Sequence, residues 1–210
     1  NSGSTATVNG TAGNTTVNAG GTIQGSGAVS ALSIASGATL APGNSPGTLS
    51  ASSATWNGGG TYAWEINDFL GSQGTNWDFL NVSGALTINA NPNNRFIIDV
   101  ISLLSNGLGG SQGPSAIASF DIYTFAIATA AGGISGFDIS NFYVNTSGFN
   151  SSMLPSGVSG SGTWYLSQTG NSINLNYAIP VGTAIPEPSS ASLLIAGTIG
   201  LLALSRRRKL

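Results

Sequence analysis

The chain has no cysteine and no histidine, and charged residues fill only 6% of its 210 positions. Without cysteine there are neither disulfides nor thiolate metal ligands. Without histidine the usual proton shuttle and the commonest metal ligand are both missing. An ordinary domain is about a quarter charged, so few ion pairs can form here. Bases are scarcest. Four of the five lie together as Arg206, Arg207, Arg208 and Lys209, which leaves Arg95 alone against Glu65, Asp68, Asp78, Asp99, Asp121 and Asp138. Binding to nucleic acid requires a basic face that neutralises phosphates. Residues 1–185 are weakly acidic, so no nucleic-acid partner is expected.

What is abundant is glycine, 31 of 210 residues, with Ser, Thr and Asn. Polar, uncharged composition alone would suit a disordered chain. Against that, Val, Ile, Leu, Phe, Tyr and Trp recur at regular places and can bury area. The pattern is alternating: Thr22-Ile23-Gln24, Leu32-Ser33-Ile34, Tyr62-Ala63-Trp64-Glu65-Ile66, Leu80-Asn81-Val82 and Leu86-Thr87-Ile88. Period-2 alternation bounded by Gly, Asn and Ser predicts short strands joined by turns. No helical segment lies between them, which excludes an α/β architecture.

Residues 1–100 carry a loose internal repeat that sets glycine before a strand. Its units are Gly20-Gly21-Thr22-Ile23, Ser36-Gly37-Ala38-Thr39-Leu40, Gly59-Gly60-Thr61-Tyr62 and Ser83-Gly84-Ala85-Leu86-Thr87-Ile88. The interval is that of one coil of a β-solenoid, with glycine at corners of positive φ and coils stacked ~4.8 Å apart. Alternation cannot separate parallel coils from the antiparallel hairpins of a β-sandwich, and both remain open at this point. The run Ala41-Pro42-Gly43-Asn44-Ser45-Pro46-Gly47 reads as a fixed turn, with Asn44 suited to a left-handed or Asx-type conformation. A phosphate-cradling loop would need a lysine and a following helix, and this run has neither.

Residues 101–114 form a glycine-rich joint. Beyond it, strands are expected over Phe120 to Ile127, Gly136 to Val144, Thr163 to Ser167 and Ser172 to Tyr177, with Gly170-Asn171 as a hairpin turn. The organisation is therefore a β-helix repeat region over 1–105, a β cap or further coils over 115–178, a spacer over 179–185 and a terminal segment over 186–210.

Catalysis has few candidates. Glu65, Asp68 and Asp78 are close in sequence, and paired carboxylates can hydrolyse glycosides. They lack titratable partners, and Glu65 alternates with Tyr62, Trp64 and Ile66, so it faces away from them. No enzyme activity, no cofactor and no metal are expected. Asp68, Asn76 and Asp78 could offer oxygens to calcium, but no acidic calcium loop is present. Trp64 and Trp77 are candidate glycan contacts, though aromatics more often pack cores.

The terminal segment has three parts: Pro186-Glu187-Pro188, an uncharged apolar run, and Arg206 to Lys209. The uncharged stretch 189–205 has seventeen residues and as a helix would span about 25 Å, the short end of what crosses a bilayer. Basic flanks remain cytoplasmic, so a single transmembrane helix would leave residues 1–185 outside. The three parts in this order resemble the PEP-CTERM sorting signal of Gram-negative bacteria. The resemblance implies recognition of Pro186, Glu187 and Pro188 by exosortase, a membrane protease-transpeptidase, with Arg206, Arg207, Arg208 and Lys209 as the orientation signal. It implies transient inner-membrane anchoring, then release or transfer at the cell surface, often beside exopolysaccharide. Export also predicts a signal peptide upstream of Asn1.

A second resemblance covers roughly Gly20 to Val100. The run Gly37 to Leu49, with Gly59-Gly60-Thr61-Tyr62 and Trp77 to Gly84, is similar to autotransporter-associated β-strand repeats. That family folds as a right-handed parallel β-helix. The expectation is thus an all-β protein, a right-handed parallel β-helix with a C-terminal β cap and one transmembrane helix. It would be an exported, non-enzymatic surface or matrix protein, with a carbohydrate-binding surface module or adhesin as the alternative and a polysaccharide-degrading β-helix enzyme as the distant one.

Overall fold

In the computed structural model of the chain, residues 3–103, 122–149 and 162–179 are described. They are all-β: sixteen strands and one 3-10 turn, Ile139–Asn141. The first coil contains β1 (Thr5–Thr7), β2 (Thr11–Ala12) and β3 (Thr15–Val17). The second is β4 (Thr22–Gly25) and β5 (Ala28–Ile34), and the third is β6 (Thr39–Pro42) and β7 (Thr48–Asn57). The fourth has β8 (Thr61–Ile66), β9 (Phe79–Val82) and β10 (Leu86–Asn89). Then come β11 (Phe96–Ser102), β12 (Ile122–Ala130), β13 (Ile134–Ser135), β14 (Phe142–Asn145), β15 (Thr163–Thr169) and β16 (Ser172–Ala178).

The strands of each circuit divide between two sheets. One sheet runs β1-β4-β6-β8-β11-β14, and every pair in it is parallel. In the other, β2 and β3 lie on β5, β5 on β7, and β7 on both β9 and β10. Next, β12 lies parallel on β9 and β13 parallel on β10. The hairpin β15–β16 then joins β12 in antiparallel register. Parallel pairing between strands one circuit apart decides against a sandwich of hairpins for the first five coils. Among the described residues no helix is long and apolar enough to cross a membrane. The span expected over 189–205 lies outside them.

The register explains the sequence pattern. Thr5, Thr22, Thr39 and Thr61 stand opposite one another on the outer face, at steps of 17, 17 and 22 residues. One position on, Ala6, Ile23, Leu40, Tyr62 and Ile98 form an inward column. In β8 the alternation is complete, with Tyr62, Trp64 and Ile66 fully buried and the residues between them half-buried. Later circuits lengthen: Ala54 to Leu86 is 32 residues and Leu86 to Ile134 is 48. The strands one circuit apart stay parallel in spite of the added residues. One hydrophobic core runs from Val17 to Ile179, so the repeat region and the cap share it.

Three of the four repeat units mark one corner. The N–H of Gly3 donates to the carbonyl of Gly20, that of Gly20 to Gly37 and that of Gly37 to Gly59, each at 2.7 Å. All four glycines have φ between 74° and 78°, the left-handed region that other residues enter at a cost. The fourth unit, Ser83-Gly84, belongs elsewhere. It lies at the break between β9 and β10, where Ser83 N–H donates to Ala51 at 2.9 Å and a Cβ on Gly84 would meet the Ser52 carbonyl. The strand expected over 136–144 is also shorter. Asp138 Oδ1 accepts from Ser140 N–H at 2.8 Å and turns residues 139–141 into the 3-10 turn before β14.

The corner sets a test. Gly37→Ala keeps every side chain but forces a Cβ onto a left-handed backbone, and should cost about 1–2 kcal/mol in urea denaturation. Gly13→Ala, where the added methyl meets open space, should stay within about 0.5 kcal/mol of wild type. Equal effects from both would remove the corner from the account.

Candidate functional site

A polar site is built behind the Pro42–Gly47 turn. Gly43 has φ +85 and Ser45 has φ +74, and Ser45-Pro46 is a cis peptide. The left-handed positions are therefore 43 and 45, not Asn44 as its residue type suggested. Asn44 instead reaches outward and donates to Asn9 Oδ1 and Ser26 Oγ, both at 3.2 Å, a polar ladder across three coils. Gly43 and Gly47 pack backbone to backbone: a Cβ on Gly43 would lie 2.2 Å from the Gly47 Cα.

Asp78 occupies the inner side of this turn and is fully buried. Its Oδ1 accepts from Gly47 N–H at 2.8 Å and its Oδ2 from Glu65 N–H at 3.1 Å. Its own carbonyl accepts from Trp64 Nε1 at 2.9 Å. One residue thus ties the turn, strand β8 and the start of β9 together. Burial pushes the Asp78 carboxyl well above the usual carboxylate range, and the nearby Glu65 charge adds to this; the two N–H bonds pull the other way and only partly offset it. Buried Tyr62 is likewise raised, by burial first and by Asp78 second.

The acids considered for catalysis and for calcium are separated by these duties. Glu65 is half-buried, at the edge of a shallow groove of about 240 Å³ with Gln24, Pro42 and Asn44. Asp68 Oδ1 accepts from Leu70 N–H at 2.9 Å. Asn76 Oδ1 accepts from Ser72 N–H and its Nδ2 donates to Asn67 Oδ1, both at 3.0 Å. Among the described residues no group of three or more acids converges on one point. The carboxylates of Asp78 and Asp68 and the amide of Asn76 hold backbone N–H groups.

Trp64 and Trp77 are core side chains, which corrects their reading as glycan contacts. Trp64 is fully buried and Trp77 is 9% exposed. Their rings pack at 5.5 and 5.2 Å from Phe125, and Trp77 Nε1 donates to the Ala126 carbonyl at 3.2 Å. A sugar stacks on an exposed aromatic face, and neither ring offers one. The alternation of Tyr62, Trp64 and Ile66 already placed Trp64 inward. No local signal marks Asp78, whose partner Gly47 lies 31 residues away.

The sequence family described as the PEP-CTERM protein-sorting motif matches residues 184–209. This segment contains Pro186, Glu187, Pro188 and the run Arg206 to Lys209, all outside the described residues. No curated protein matches the chain. The motif marks the chain as a substrate of exosortase-type sorting, with exosortase as its processing partner and export to the cell surface as its route.

Asp78 generates a pH prediction. Its folded carboxyl holds a proton to higher pH than the unfolded chain does. Its contribution to stability is thus complete below the unfolded carboxylate range, near ~4, and is lost as pH rises through the raised folded value. Asp99 shifts in the same direction, chiefly through burial, so the informative quantity is the gap between wild type and Asp78→Asn. Thermal melts from acid to neutral pH should show that gap moving in favour of the Asn variant. A gap that does not change with pH would mean Asp78 titrates alike in both states.

Proposed function

We propose that the chain is an exported, non-enzymatic surface or extracellular-matrix protein. Its β body is delivered outside by the C-terminal signal, held briefly in the inner membrane by residues 189–205, and then cut by exosortase near Pro186-Glu187-Pro188. The observation that carries this reading is the PEP-CTERM match over residues 184–209. The uncharged apolar stretch 189–205 followed at once by Arg206, Arg207, Arg208 and Lys209 supports a cytoplasmic C-terminus before cleavage.

The body is read as a right-handed parallel β-helix of the autotransporter-associated type. Support comes from the parallel circuits, from the Ala41–Gly47 turn, and from the strong preference of parallel crossovers for the right hand. Its non-enzymatic character is supported by the duties of Asp68, Asp78 and Asp138, whose carboxylates each accept from backbone N–H groups. A hydrated Thr, Ser and Asn exterior suits contact with exopolysaccharide.

The test is intact mass and cell fractionation in a host with and without active exosortase. The expected result is loss of the terminal segment, with release from the membrane fraction, only when the enzyme is active. A full-length mass in both hosts would make 189–205 a permanent anchor and overturn the sorting reading.

A further inference from the structure

Tyr143 is the one aromatic side chain among the described residues that is more than half exposed, at 52%. It stands on the outer face of its sheet. Its neighbours on β14, Phe142 and Val144, turn inward, the first buried and the second packed against the core. Ile97 of β11 lies beside Tyr143 in register and is half-buried. The ring therefore has an apolar neighbour on the strand next to it, about 4.8 Å away.

Polar groups flank the ring and are held in place. Two residues on, Asp99 and Asn145 pair in register, and Asp99 Oδ1 accepts from Asn145 Nδ2 at 2.8 Å. Asn145 Oδ1 accepts in turn from Ser147 N–H at 3.2 Å. These bonds leave Asp99 Oδ2 as an open acceptor. On its other side Asp99 stands on Ala63, a side chain too short to cover the carboxylate. Two residues before Ile97, exposed Arg95 continues the outward alternation and brings a guanidinium donor. Residues two apart on a strand are separated by about 7 Å. The outer face thus sets an apolar ring between a fixed carboxylate–amide pair and a donor.

We propose that Tyr143, Asp99 and Asn145 form a binding site for a neutral polysaccharide, with Arg95 as a further donor. A pyranose has an apolar face of C–H groups and a rim of hydroxyls that donate and accept. Its face lies on the Tyr143 ring, and its rim reaches the carboxylate and amide on one side and the guanidinium on the other. Few polar groups around an aromatic platform are enough to fix orientation. A lipid surface would use the ring but strip water from Asp99 without replacing it. A polyuronate would meet Asp99 at the ring and a body with one base against six acids. The site deepens the reading of the exterior as a contact for exopolysaccharide and rests on that reading.

The test uses polysaccharide secreted by the producing cells, separated into neutral and acidic fractions by anion exchange and immobilised. Surface plasmon resonance of the full chain in detergent should show binding to the neutral fraction. Tyr143→Ala should weaken it about tenfold or more, Asp99→Ala should weaken it too, and Tyr143→Phe should keep most of it. Ile139→Ala, at a site 57% exposed and outside the strands, should bind as wild type does. Circular dichroism spectra and melting points should stay close to wild type for these surface changes. Neutral-fraction binding that Tyr143→Ala leaves intact would overturn this site and leave the wider polysaccharide reading standing. Binding to neither fraction would overturn both, and binding to the acidic fraction alone would overturn the neutral assignment.

Discussion

The structure depends on a column of backbone hydrogen bonds at one corner. Gly3, Gly20, Gly37 and Gly59 pass an N–H to the carbonyl one circuit on, all in the left-handed conformation. A strand has a side-chain period of two, so a slip of one residue would turn every buried side chain outward. The corner prevents that slip by fixing where each strand begins. The next residues but one, Thr22, Thr39 and Thr61, then fall into a single outer column, and Ile23, Leu40 and Tyr62 into a single inner one. Sequence variation is free elsewhere in the circuit because the corner has already set the register.

That freedom is used to lengthen the circuit. The spacing between paired strands grows from 17 residues to 48 along the chain, and the buried side chains grow larger with it. The inner column passes from Ala6 through Ile23 and Leu40 to Tyr62, whose hydroxyl would be costly to bury alone and donates to the Ile127 carbonyl at 3.0 Å. Further along, Phe69, Phe125, Trp164 and Tyr177 meet ring to ring, with Trp164 and Tyr177 at 4.6 Å. Interiors pack without voids, and here aromatic rings fill the interior of the later circuits. This accounts for Trp64 and Trp77 as packing residues in a chain whose composition also permitted sugar contacts.

Strand positions were legible because they depend on local alternation, as in Tyr62 to Ile66. Pairing direction was not, since parallel coils and antiparallel hairpins give the same alternation. The glycine-before-strand signal was correct for Gly20, Gly37 and Gly59 and misleading for Gly84, because two kinds of bend in one circuit ask for a small residue. At Gly59 the need is a left-handed backbone; at Gly84 it is room beside the Ser52 carbonyl. Asp78 was legible only as an acid. Its burial arises from a contact between residues 31 apart, and a pattern read over a window of ten cannot contain it. The sorting motif over 184–209 was legible because it is a linear motif, recognised by residue order.

Low charge has a consequence for the body as a whole. Residues 1–180 carry Arg95 and six acids, so almost nothing in the fold is held by Coulomb attraction that salt could screen. Backbone ladders, packed aromatics and amide ladders such as Asn9, Ser26 and Asn44 replace ion pairs. The one fully buried acid in the described residues, Asp78, is partly compensated by N–H groups of the same backbone that forms the coils. A protein sorted to the cell surface meets ionic conditions that the cell does not regulate. A fold whose cohesion is carried by hydrogen bonds within the coil and by burial keeps its register in such surroundings, while four of its five basic residues are gathered in the segment that directs sorting.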